Sequence, residues 1–248
     1  MFRRVWLFLA CVTMTGSVSA ATITVSAASS LKDVFQEIGR KFEQVHQGHT
    51  IDFNFGGSGS LLQQIRHGAP VDVLASADLA NMQAANEGGI LQNNRHTHFV
   101  KNELVLIVPA DSDLKLETLN DLQNDAVNRI AIGNPSSVPA GRYTAGALKK
   151  AGLDETLKDK TVFTQNVRQA LEYVASANVE AGFVYGTDAK ILPDKVKVAF
   201  SVELEQPVVY PIAVLKDSQE PDLARQFVDY VLSEESWAIF DQYGFVRP

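Results

Sequence analysis

The chain has 248 residues, with 22 Lys and Arg against 29 Asp and Glu, and one cysteine. The net charge of −7 argues against nucleic acid or an anionic membrane surface as a partner. A lone cysteine excludes a disulfide framework, and the length suffices for one large domain or for two lobes of about 100 residues each.

Residues 1–20 read as a cleavable secretory leader. Arg3 and Arg4 form a positive start, an apolar stretch runs from Val5 to Val12, and small residues at 17–20 precede Ala21. The stretch is too short to span a bilayer, which takes about 20 apolar residues, and no later segment is apolar enough. Cys11 lies inside this leader, so the mature chain would carry no cysteine. A lipid-attachment role for Cys11 is the rival reading, although Phe8-Leu9-Ala10 fits a lipoprotein box poorly. Losing Arg3 and Arg4 leaves 20 basic residues against 29 acidic ones, a net charge of −9. Any anion site in such a chain must rest on local dipoles, because the global field opposes anion approach.

Along the mature chain, strands are predicted at 22–26, 51–55, 72–76, 104–109, 129–132, 182–185, 196–200 and 208–215. Helical periodicity fills the gaps. It is clearest at 31–46, where Leu31, Val34, Phe35, Ile38, Phe42 and Val45 fall on one face. Further helices are predicted at 60–67, 79–86, 141–151, 167–177 and 222–240, with Pro221 suited to a first turn. The alternation predicts an α/β fold with mostly parallel sheets flanked by helices. Strands 104–109 and 208–215 have no helix close behind them and lie a lobe's length apart. They read as two hinge strands joining a first lobe (21–105 with 211–248) to an inserted second lobe (106–210). A single sheet with both strands central is the alternative.

Four predicted strand-to-helix junctions are small, polar or glycine-rich: 26–30, 56–60, 133–140 and 164–167. A helix start offers unpaired N–H groups and the positive end of the helix dipole, so it can hold an anion without a charged side chain. Glycine permits close backbone approach and serine adds a rotatable donor. Each residue also has a plainer reading. Ser30 can be an ordinary N-cap, Val167 an apolar first-turn residue, and Tyr185 a core tyrosine ending an apolar strand.

Taken in order, Ala27-Ala28-Ser29-Ser30-Leu31, Gly57-Ser58-Gly59-Ser60-Leu61, Gly68-Ala69-Pro70-Val71-Asp72, Val138-Pro139-Ala140-Gly141-Arg142-Tyr143, Asn166-Val167-Arg168 and Val184-Tyr185-Gly186 resemble the periplasmic molybdate-binding proteins of ABC importers. Phe240-Asp241-Gln242-Tyr243-Gly244-Phe245 fits them too, so the resemblance covers essentially the whole mature chain. It implies a two-lobed periplasmic-binding-protein fold. It also implies a monomer without cofactor that binds molybdate or tungstate outside the cytoplasm and delivers it to a membrane permease. Carried over by position, the oxyanion would be held by the hydroxyls of Ser30 and Ser58, the backbone N–H groups of Ala140 and Val167, and the hydroxyl of Tyr185. The glycines at 56–60 depart from the pattern and leave Ser60 as an alternative to Ser58, with register favouring Ser58. Arg142 and Arg168, beside the donors, read as salt-bridge or solvent-facing residues, with direct anion contact as the alternative.

Enzymatic chemistry finds little support. Gly56-Gly57-Ser58-Gly59-Ser60 lacks the closing glycine of a nucleophile elbow. The five histidines, at 46, 49, 67, 96 and 98, show no convincing metal-ligand spacing. The nearer rival is a binding protein of the same fold for sulfate, phosphate or another small anion.

Overall fold

The structure, a computed structural model, describes residues 20–248. The predicted leader and Cys11 lie outside the described residues. Among the described residues no helix is long and apolar enough to cross a membrane.

In chain order the first half comprises β1 (Ala21–Ala28), α1 (Lys32–Val45), β2 (His49–Gly56), α2 (Ser58–Arg66), β3 (Val73–Ala75), α3 (Leu79–Glu87), β4 (Thr97–Asn102) and β5 (Leu104–Pro109). The second half comprises β6 (Ile130–Gly133), α4 (Pro139–Lys150), β7 (Thr161–Thr164), α5 (Val167–Ala175), β8 (Ala181–Tyr185), the short α6 (Gly186–Ala189), β9 (Val196–Ser201), β10 (Val208–Val214), α7 (Pro221–Val231) and α8 (Glu234–Tyr243).

The strands form two five-stranded sheets, ordered β2-β1-β3-β10-β4 and β7-β6-β8-β5-β9. In each, the fourth strand alone runs antiparallel to its neighbours. The two sheets thus share one topology, and each forms the centre of a lobe flanked by helices. The antiparallel members, β5 and β10, are the two strands singled out in the sequence. Chain passes between sheets at Glu103, separating β4 from β5, and again over residues 202–207, separating β9 from β10. These crossings fall a few residues from the expected ones at 105/106 and 210/211.

The apolar face of α1 packs on the first sheet and on the C-terminal helices. Phe35 meets Phe99, Phe227 and Phe240 at ring-centroid distances of 5.9–6.4 Å. Its predicted buried face holds except at Val45, which is 62% exposed. There the helix ends, and the ring of His46 stacks on Phe42 at 4.0 Å. The predicted helix 222–240 is in fact two. Ser233 leaves helical geometry and caps α8 by accepting from Ser236 N, while Ser236 Oγ donates to Tyr230 O at 2.6 Å. Two strands escaped the sequence reading, β4 and β7. Both are edges or near-edges with polar residues at alternate or terminal positions, and Phe163 of β7 is 60% exposed.

Candidate functional site

Each junction puts a particular group at the carboxyl end of its strand. After β1 the chain makes a single 3₁₀ turn, Ser29–Leu31, before α1, and Ser30 is buried within it. Ser30 makes no capping bond. Its Oγ lies 2.9 Å from Tyr210 Oη of β10, which removes the N-cap reading. After β2, Gly57 is the extended residue preceding α2, and Ser58 is the first helical residue. Ser58 Oγ accepts from Ala77 N at 3.0 Å. Proline at the first position of α4 leaves Ala140 in the first turn, and Asn166 caps α5 by accepting from Gln169 N at 3.0 Å, so Val167 opens that helix. First-turn N–H groups have no helix carbonyl to bond to. Tyr185 ends β8, is 1% exposed, and its hydroxyl has no hydrogen-bond partner among the described residues.

All five of these residues line one small cavity between the lobes. Ser30 and Ser58 come from the first lobe; Ala140, Val167 and Tyr185 come from the second. Among the described residues no charged one lines it. Ser60 does not reach it and instead faces a separate surface groove beside Asn134, Ser137 and Phe163. Burial pushes the hydroxyl pKa of Tyr185 well up, reinforced by the nearby Tyr210, so it stays a neutral donor.

The lobes are closed on one another. Gly59 N donates to Ser137 O across the cleft at 2.9 Å. A Cβ on Gly59 would lie 2.8 Å from Ser137 Cα, and one on Gly57 would lie 2.9 Å from both Ser137 O and Gln165 O. The glycines therefore serve approach between lobes as well as access to the cavity. Arg142 and Arg168 do not line the cavity. Arg142 Nη1 donates to Asp78 Oδ2 at 2.8 Å. Arg168 lies between two carboxylates, Asp33 of the first lobe and Asp188 of its own, each at 2.6 Å. Those two contacts are close charge pairs whose angles fall short of hydrogen-bond alignment. Asp188 is wholly buried, and burial lifts its pKa to about 6 against the opposing pull of Arg168.

Sequence reasoning missed Tyr210, Asn102, Ala77 and the carboxylate partners of the two arginines. Tyr210 sits 180 residues from Ser30, inside an apolar strand, and its spacing carries no sign of that contact. Asp78 was findable as the N-cap of α3, a Ser/Asp-type residue just ahead of a helical run.

The sequence profile of the bacterial extracellular solute-binding proteins matches residues 23–246. The chain belongs to that family. Its members and the relatives below are solute-binding proteins, not enzymes. A Bacillus subtilis protein named provisionally as the ABC transporter substrate-binding lipoprotein YvgL is 38% identical over 233 residues, covering 93% of this chain and 88% of that one. The molybdate-binding protein ModA of Haemophilus influenzae is 33% identical over 234 residues, covering 92% and 91%. Among solved structures, the periplasmic molybdate-binding protein of Azotobacter vinelandii superposes with a TM-score of 0.81 at 24% identity, covering 91% of this chain and 99% of that one. That last likeness carries the two-lobed fold.

Proposed function

We propose that this solute-binding protein captures molybdate, and tungstate as a dianion of nearly the same size, in the cavity between its lobes. The oxyanion would be held by Ser30, Ser58, the N–H groups of Ala140 and Val167, and Tyr185, and the closed form would be presented to the permease of an ABC importer. The lobes would divide at Glu103 and at 202–207. The protein would act as a monomer in the periplasm after its leader is removed. The names borne by the ModA relatives support the ligand.

The observation that supports the reading is that five residues able to offer uncharged donors, drawn from both lobes, line one cavity with no charged residue among its described lining. A tetrahedral dianion needs several donors pointing inward, and dipoles fixed by folded helices supply them with little reorganisation. An arginine fork suits planar, two-point pairing better, and here both nearby arginines are already engaged elsewhere. Because the donors come from both lobes, the anion stabilises the closed arrangement.

Calorimetric titration of the mature protein with molybdate, tungstate, sulfate and phosphate tests this. Tight binding of the first two, with sulfate and phosphate weaker by orders of magnitude, is expected. A preference for sulfate or phosphate would replace the ligand while keeping the site, and no binding of any of the four would overturn the reading.

A further inference from the structure

The proton positions on Ser30 and Ser58, two of the three serines that line the cavity, can be read from what surrounds them. Ser58 is settled by a single contact. The backbone N–H of Ala77 occupies one of the two Oγ lone pairs, and a backbone N–H cannot reverse, so the Ser58 proton points away from Ala77 and is free to face the cavity. Ser30 is settled by a longer chain. Glu103 N donates to Asn102 Oδ1 at 2.9 Å, which fixes which end of that amide is oxygen. The Nδ2 end then donates in two directions, to Thr187 Oγ1 at 2.8 Å and to Tyr210 Oη at 3.3 Å. Tyr210 is wholly buried, and its remaining partner is Ser30 Oγ at 2.9 Å. If Ser30 donated to Tyr210 instead, the tyrosine proton would face an amide N–H₂ and be left without an acceptor, a costly arrangement in a buried site. Burial also keeps the phenol protonated.

We propose that Asn102 and Tyr210 are positioning residues that hold the Ser30 hydroxyl as a hydrogen-bond donor toward the bound anion, and so discriminate against oxyanions that carry a proton. The direction originates at the Glu103 backbone, at the crossing between sheets, and passes through Asn102 and Tyr210 to Ser30. Asn102 also ties the chain to Thr187 of the second lobe. A fully deprotonated oxyanion matches a ring of donors. A hydrogen-bearing dianion needs one acceptor, and with Ser30 and Ser58 each turned toward donating, that acceptor falls to Tyr185 or Ser29, the lining hydroxyls that no such contact orients, at the loss of one donor.

This inference rests on the proposed oxyanion site, and its test keeps the two apart. Wild type, Tyr210→Phe and Asn102→Asp are titrated with molybdate and with hydrogen arsenate at mildly alkaline pH, with thermal unfolding followed in parallel. In Tyr210→Phe, Ser30 loses its fixed donor. Molybdate affinity is expected to fall about tenfold while hydrogen arsenate is unchanged or tighter, so the ratio of the two falls at least tenfold. Asn102→Asp places an acceptor opposite Tyr210 and reverses the chain. Its added charge weakens both dianions alike, so the ratio again reports proton direction, and this variant carries the test if Tyr210→Phe fails to fold. Equal losses for both anions, or unchanged affinities, would overturn the relay and leave the site standing. Wild type binding neither anion, nor sulfate or phosphate, would overturn the site and the relay with it.

Discussion

Arg142, in the first turn of α4, donates to Asp78 of the opposite lobe at 2.8 Å, while the other oxygen of Asp78 caps α3 by accepting from Asn81 N at 2.9 Å. One carboxylate thus serves folding with one oxygen and lobe closure with the other. The two uses are separable by mutation. Arg142→Gln is expected to weaken anion binding several-fold while shifting stability by less than about 1 kcal/mol, because the Arg142 side chain is 37% exposed, so water screens the pair, and glutamine keeps a donor for the buried Asp78. Asp78→Ala should weaken binding similarly and also lose about 1 kcal/mol of stability with the cap. Titration calorimetry beside denaturant unfolding distinguishes them. Equal stability loss in both variants would show that the pair, rather than the cap, holds the fold.

Gly59→Ala should be a closure variant. The added methyl meets the backbone of Ser137 at 2.8–2.9 Å, and backbone cannot swing aside as a side chain would. Stability of the separate lobes should hold or rise slightly, since alanine is the better helix former. Anion affinity should fall at least tenfold, and the anion-induced decrease in radius of gyration seen by small-angle scattering should shrink or vanish. An unchanged affinity would mean that binding does not need the lobes this close.

Tyr185→Phe should trade in the opposite sense to most core mutations. In the closed arrangement its hydroxyl is buried without a partner among the described residues, so removing it should cost the anion-free protein no stability. Affinity for molybdate should fall by about tenfold to a hundredfold. Comparing melting temperatures with and without molybdate measures both effects. A destabilised anion-free variant would point to a structural role for the hydroxyl.

Asp188 gives a pH dependence of defined sign. With its pKa raised to about 6 by burial, the folded chain between about pH 4 and 6 holds a proton that the unfolded chain has released. Stability from this group therefore falls as pH rises through that window and is flat above it. Asp188→Asn has no such slope. The stability of wild type relative to this variant should decline across the window by at most roughly 3 kcal/mol, measured by unfolding at a series of pH values. A difference that grows with pH would mean that Arg168 outweighs burial at this carboxylate.

Much of the fold was legible because its signals are local. Apolar runs marked the buried strands, the face of α1 was periodic, and glycine and serine clusters marked where strands give way to helices. The five candidate donors came from that punctuation together with the family resemblance, and the structure gathers them around one cavity. Features set by distant partners were not legible. β4 and β7 are held by pairing more than by their own pattern. Ser30 looked like a cap because its true neighbour, Tyr210, is remote in sequence. The break between α7 and α8 depends on Ser233 and Ser236 bonding locally against an otherwise continuous apolar pattern.

Only Glu103 separates β4 from β5, and the return crossing spans just residues 202–207. Two such short tethers would leave the halves little freedom to slide or twist, so they would part chiefly by swinging. An ion clasped from both sides, as proposed, then could not shed its contacts one after another. Its residence time would be the waiting time of a single mechanical event, and any surface that pries the halves open would set the release rate without touching the ion.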